Sequence, residues 1–501
     1  MKALKSINNL FNTLSDNEKR ILFQYLTSFT TGAIPVPKSV LLLNLMEEGV
    51  LNEDRLCEEL LIKQDALRKL AERLLNKMLE TLTLELNVNR PGEYTQQGKA
   101  NILVRKYILR ARLLPKKGLY EIAQDVLKKA IKTAKKFELF APLIEALYLY
   151  YQIQVMLNGD KQSYKIKLEI EKYEHLRLLE VECEMLLYGL HVDNGFSSYR
   201  KFNENSFVLE TTQRIQPYIK HSARLNHYFY SFQRYLLENE GKFEKAINLI
   251  ILFIDFIKNN RIVYKKRDHG ILLLNLANYF ISFGSFKQAK LRIDEACNFF
   301  EYGSYDYCNS KELEFYIQIF SNNSEESEEI LGKLLLVENL TFHLKNEYLF
   351  LLSNVFFIKK DFKQSRRILS KTMEIEYDKN GWNFAIKLLL IMSHMELEDF
   401  QDQAMLDFEN LKRYRNRALG DSSVKDRCKL IVYLINSIQR EGYNYTLVGK
   451  KEKQYIDKLS KMELELPCVY KSANIILFSQ WIKSKINEID FVPDYSLRFN
   501  K

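Results

Sequence analysis

The pattern Leu276-Ala277-x-x-Phe280-x-x-x-Gly284-x-Phe286-x-x-Ala289-x-x-x-Ile293-x-x-Ala296 recurs in degraded form along this chain. Ser353, Phe356, Lys360, Phe362, Ser365, Leu369 and Thr372 repeat it 76 residues later, which is twice 38. Its second half returns at Gly241, Phe243, Ala246, Ile250 and Phe253, and again at Gly118, Tyr120, Ala123, Leu127 and Ala130. A weaker copy runs from Leu397 to Phe408, with Phe400 in place and Ala404 one residue late. A two-helix unit of this kind cannot bury its apolar face alone, so copies must stack. The expected fold class is therefore all-α, an α-solenoid of helical hairpins.

The spacing has a direct physical meaning. Small side chains at Ala277, Ala289 and Ala296 let two antiparallel helices approach closely, and Phe280, Phe286 and Ile293 fill the space between them. Gly284 falls where the chain reverses, a position that favours positive φ. Composition agrees with long helices and short turns, because 501 residues hold only 8 Pro and 17 Gly. The average usage of these two breakers is about 5% and about 7%. Many aromatic side chains, 31 Phe and 30 Tyr, are available to fill the layers between helices.

The pattern resembles the tetratricopeptide repeat, over about a third of the chain. Spacings of 38 to 43 residues exceed that family's usual ~34, which predicts longer helices or turns. The resemblance implies binding of a protein or peptide partner in a groove lined by the first helix of each unit. It places Asn275, Asn278 and Asn354 in that groove, with Arg105 and Arg112 at the matching positions of the Gly118 unit. An Asn amide there can satisfy the backbone groups of an extended peptide as both donor and acceptor.

Residues 1–97 read as a separate small module, 98–489 as the repeat array, and 490–501 as a tail or a strap laid over the final helix. In the module, Ser15 and Glu18 form a capping box. Helices are predicted over 39–48, 53–61 (capped by Asn52) and 65–79. Leu82, Leu84, Leu86 and Val88 then alternate with polar residues, which predicts a strand. A turn at 89–92 and a short returning strand over 93–97 follow. This order resembles, over 37–97, a winged helix-turn-helix. That resemblance implies a regulator whose second helix meets DNA through Arg68, Lys69, Arg73 and Lys77.

Charge singles out one further segment. The net charge is +10, and residues 101–137 alone carry 11 basic side chains against Glu121 and Asp125. Lys128, Lys129, Lys132, Lys135 and Lys136 concentrate on one helix, opposite Ala123, Leu127 and Ala130, and form a patch for an anionic partner. The seven His show no i,i+4 metal-binding pair, and the phosphate-cradling, dinucleotide and nucleophile-elbow motifs are missing. No catalytic residue, cofactor or metal is therefore expected, and the chain is read as a binding scaffold. Six dispersed Cys, the lack of a signal-type apolar segment over 1–14 and the lack of a spanning-length apolar run predict a cytoplasmic protein without a membrane anchor.

Overall fold

The computed structural model describes residues 2–28, 36–84, 95–159, 163–193, 201–338, 340–372, 381–397, 401–418, 423–464 and 473–499. Among these, the regular structure is entirely helical and no strand occurs. The chain divides into two compact units, Met1–Ile166 and Lys167–Lys501.

In the first unit, helices Lys2–Thr13, Asp16–Thr27, Lys38–Glu47, Glu53–Leu60 and Gln64–Leu84 enclose a small core. Leu22, Leu42, Leu43, Leu56, Leu67 and Leu74 are fully or almost fully buried there. The Ser15 hydroxyl accepts from Glu18 N while the Glu18 carboxylate accepts from Ser15 N, closing the capping box. Asn52 accepts from the backbone N–H of Asp54 and Arg55.

The strand expected from Leu82 does not begin there. The preceding helix continues through Leu84, and residues 85–94 lie outside the described part. Leu67, Leu74, Met78 and Thr81 continue one buried helical stripe, and the Thr81 hydroxyl donates to Met78 O at 2.7 Å. Burial at the helical period prevails over a short polar–apolar alternation. The second expected strand is also corrected, because Gln96 and Gln97 open helix Gln96–Leu113 behind a Thr95 cap.

That helix packs on Tyr120–Lys136, which packs on Phe140–Asn158. In the second unit, consecutive helices pair in the same way. The hairpins are Ala223–Asn239 with Phe243–Asn259, Lys266–Ser282 with Phe286–Cys297, Tyr305–Phe320 with Ser324–Leu335, and Phe342–Ile358 with Phe362–Leu369. Helix Trp382–Glu396 continues the series with Gln401–Ala418. One hydrophobic core runs through all of them.

The turns explain the repeat. Gly118, Gly241 and Gly284 have φ of 73°, 70° and 68°. Asn322 (58°) and Lys360 (63°) hold the same left-handed conformation. Asn322 lies 38 residues after Gly284 and 38 before Lys360, so a complete hairpin fills the gap between the two copies visible in the sequence. Asn tolerates this conformation better than most side chains. Ser327 takes the place of Ala289 there and is equally buried.

Ala289 is at 0% exposure between its helix and its neighbours. Replacing it by Phe is expected to lower stability by about 1–3 kcal/mol through overpacking. An unchanged urea midpoint would show that this position tolerates a large ring and is not a close helix contact.

Candidate functional site

A lysine-rich exposed surface of the first unit lies on helix Tyr120–Lys136. Ala123, Leu127, Ala130 and Ala134 form its buried face, and three alanines in four allow close approach of both flanking helices. Lys128, Lys129, Lys132, Lys135 and Lys136 all stand exposed on the other side. Glu121 in the first turn and Lys135 and Lys136 in the last turn complement the helix dipole. Lys128 pairs with Asp125 at 3.2 Å, and Lys136 lies over the Phe137 ring at 5.5 Å. Lys129, Lys132 and Lys136 meet no carboxylate within ion-pair range among the described residues. Lys116 and Lys117 are exposed at the preceding turn.

Arg105 and Arg112 are exposed on helix Gln96–Leu113. Arg105 donates to Asn101 at 3.2 Å, and Arg112 reaches Glu145 of helix Phe140–Asn158 at 2.7 Å. Arg112 thus links the first and third helices of this set. Arg68, Lys69 and Arg73 are exposed on helix Gln64–Leu84 and Lys77 is half-buried, while Arg68 lies 3.4 Å from Glu72.

In the second unit the groove expected from the repeats is occupied by the chain itself. Helices Tyr305–Phe320, Phe342–Ile358 and Trp382–Glu396 carry buried residues around most of their circumference, as at Phe350, Leu351, Asn354 and Val355. Ala473, Asn474, Ile476 and Arg427 face Phe350, Asn354, Phe384 and Leu388 across a cleft of about 20 Å³. That is room for one water, not for a peptide. Trp481 donates to Glu396 at 2.7 Å, and Lys485 reaches the other oxygen of the same carboxylate at 2.5 Å.

Asn354 therefore does not line an open groove. It is buried, and its amide donates to Phe350 O one turn back at 2.8 Å. Asn275 and Asn278 remain half-exposed on helix Lys266–Ser282. Of the two Asn expected to share one concave surface, Asn278 is half-exposed and Asn354 is buried, beside a cleft that Arg427 and residues 473, 474 and 476 also line.

The buried polar groups that sequence reasoning missed are long-range. Arg427 meets Glu463 at 3.0 Å and donates to Asn474 at 2.7 Å, and Ser479 N donates to Glu463 at 2.9 Å. No local signal marks these residues, because their partners lie tens of positions away. The Tyr279 hydroxyl donates to Glu238, which also accepts from Arg234 at 2.8 Å. Burial and the Glu238 charge push the Tyr279 hydroxyl well above the usual phenol range.

Histidines in this unit sit among rings. Burial pushes His227 down to about 4, and its ring lies 5.1 Å from Phe253. His269, likewise lowered by burial, lies 4.5 Å from Phe299. In both, burial disfavours the charged imidazolium. His394 is buried beside Asp407 at 3.0 Å. Cys57, Cys183, Cys297, Cys308 and Cys428 are free thiols. No helix among the described residues is long and apolar enough to cross a membrane.

No protein-family model and no curated protein matches the chain. Among solved structures, it is similar to the crystal structure of a Signal Transduction ATPase with Numerous Domains (STAND) protein with a tetratricopeptide repeat sensor from Pyrococcus horikoshii. The match has 13% identity and a TM-score of 0.32, and it covers 82% of this chain and 51% of that one. This chain thus spans about half the length of that protein.

Proposed function

We propose that this chain is a non-catalytic helical-repeat scaffold that holds a protein partner with an acidic surface through the lysine face of helix Tyr120–Lys136. The observation that carries the proposal is the exposure of Lys128, Lys129, Lys132, Lys135 and Lys136 together on a helix whose opposite face is anchored by alanines. A solvated cluster of one sign steers an oppositely charged partner and raises its on-rate in a salt-dependent way. These charges span about 12 Å along the helix axis, at 1.5 Å per residue. They are flexible ammonium groups without the planar guanidinium forks that read base edges, which favours a carboxylate-rich protein surface over duplex DNA. A cytoplasmic setting belongs to the same proposal and is supported by the five free thiols among the described residues.

The test is co-purification with full-length protein from native lysate, comparing wild type with the K128E/K132E/K136E variant. Partner yield is expected to fall tenfold or more in the variant, with its thermal midpoint unchanged. Bound partner should also elute as salt rises from about 0.1 to about 0.5 M and survive nuclease treatment. Retention by the variant would overturn the proposal. Loss on nuclease treatment would replace it with nucleic-acid binding.

A further inference from the structure

Residues 489–495 run without regular structure and end in the short helix Ser496–Phe499. They cross the turn ends of three successive hairpins in reverse order. Asp490 pairs with Lys360 at 2.6 Å, and the Phe491 ring lies 6.1 Å from Phe357, at the same turn. Tyr495 packs edge-on against Phe320, at the end of the preceding first helix, at 5.1 Å. Phe499 meets Phe320 at 5.9 Å and Phe286 at 5.3 Å, one hairpin further back.

The fit at the last contact is close. A Cβ added to Gly284 would come within 3.2 Å of the Phe499 side chain, so glycine serves both the turn and this approach. One aromatic side chain every four residues thus meets one hairpin after another. From Phe491 to Tyr495 the segment is non-helical, and four such residues span at most about 13 to 14 Å, while Phe499 is carried one turn further on the short helix Ser496–Phe499.

The attachment divides into two kinds of contact. Tyr495 and Arg498 are each 3% exposed, and Arg498 donates to Asn474 O at 3.0 Å. Nearer its start, the segment is held by the exposed Lys360–Asp490 pair and by two bonds between Gln480 and the Asp494 backbone, at 2.7 and 3.1 Å. Ile489 and Val492 point into solvent. Exposed ion pairs contribute little to stability, so this half of the segment is the weaker one.

We propose that the turn ends at Gly284–Phe286, Phe320 and Phe357–Lys360 form a peptide-docking rim, and that residues 490–499 are the ligand the protein holds in cis. The partner that fits in trans is a peptide extended over its first residues and closing in one helical turn, with aromatic side chains at positions i, i+4 and i+8 and an acidic residue just before the first. It gains access when the strap lifts, so the free protein is self-occluded. Extended segments that occupy such surfaces use side-chain pockets for specificity, here the three ring sites, and the cis copy competes through its effective concentration. This rim does not depend on the lysine face of helix Tyr120–Lys136.

The probe is a fluorescein-labelled peptide with the sequence of residues 488–499, read by anisotropy against full-length protein. Wild type is expected to bind it at least tenfold more weakly than an F491A/Y495A/F499A variant, whose rim is vacated. A control peptide with its three aromatic residues changed to Ala should not bind the variant. A folded variant that fails to take up the aromatic peptide overturns the proposal, as does equal binding of both peptides. Hydrogen exchange on wild type gives a reading that needs no variant. Amides of residues 490–495 should exchange at least tenfold faster than those of helix Phe478–Ile486, and equal protection would show a fixed core element instead of a strap.

Discussion

Replacing Arg427 by Met is expected to cost the protein about 3–5 kcal/mol of stability, the usual cost of leaving a buried charge without its partner. Glu463 is fully buried, and its charge is balanced by the guanidinium of Arg427, which reaches the same carboxylate oxygen through Nε and Nη2 at 3.0 Å. The other oxygen accepts from Ser479 N at 2.9 Å. In the variant that carboxylate must either stay ionised in an apolar surrounding or take up a proton, and both are costly. An R427M/E463M double variant removes the charge on both sides and should recover much of the loss. Urea melts of the full chain report both values. A single variant within about 1 kcal/mol of wild type would show that the pair does not hold the later hairpins.

Trp481→Ala is expected to cost a similar amount, about 3–5 kcal/mol, for a different reason. The indole is fully buried, with its ring 5.3 Å from Phe478 and 6.1 Å from Tyr445. Its deletion opens a large cavity and also removes the bond to Glu396. Trp481→Phe keeps most of the ring volume and loses the donor, so its expected cost is only about 1–2 kcal/mol. Lys485 continues to neutralise Glu396 in both variants. The ordering of the two midpoints separates packing from hydrogen bonding. Equal small shifts for Ala and Phe would place the indole outside the core.

Both variants act where the end of the chain meets earlier hairpins, and this is where sequence reading ran out. The repeat was legible because close helix packing demands a small residue at a fixed offset from the turn. Ala246 and Ala289 satisfy that demand, and both are at 0% exposure. The hairpin between the two readable copies was hidden because Asn322 replaced glycine and Ser327 replaced alanine. Physical requirements for a left-handed turn and a small contact residue were still met, by other residue types. Alternation at Leu82 and Leu84 gives way to helix for a related reason, while residues 85–88 lie outside the described part. Four residues at strand period carry less weight than a buried helical stripe running from Leu67 to Thr81.

For the functional residues, the division follows the range of the interaction. The lysine face of helix Tyr120–Lys136 was visible in the sequence and is exposed in the structure, because helical geometry alone sets which side chains share a face. Register places Asn354 in a groove, but register does not reveal what covers a surface. Residues 473–476 and Arg427 approach from far along the chain and bury it. Hairpin stacking, the glycine turns and charge distribution therefore belong to the sequence by itself, since each depends on neighbours within about one repeat. The closure of the later groove, the Arg427–Glu463 pair and the course of residues 490–499 were decided only by tertiary structure. Their energies come from desolvation and contact between segments whose separation along the chain leaves no periodic trace.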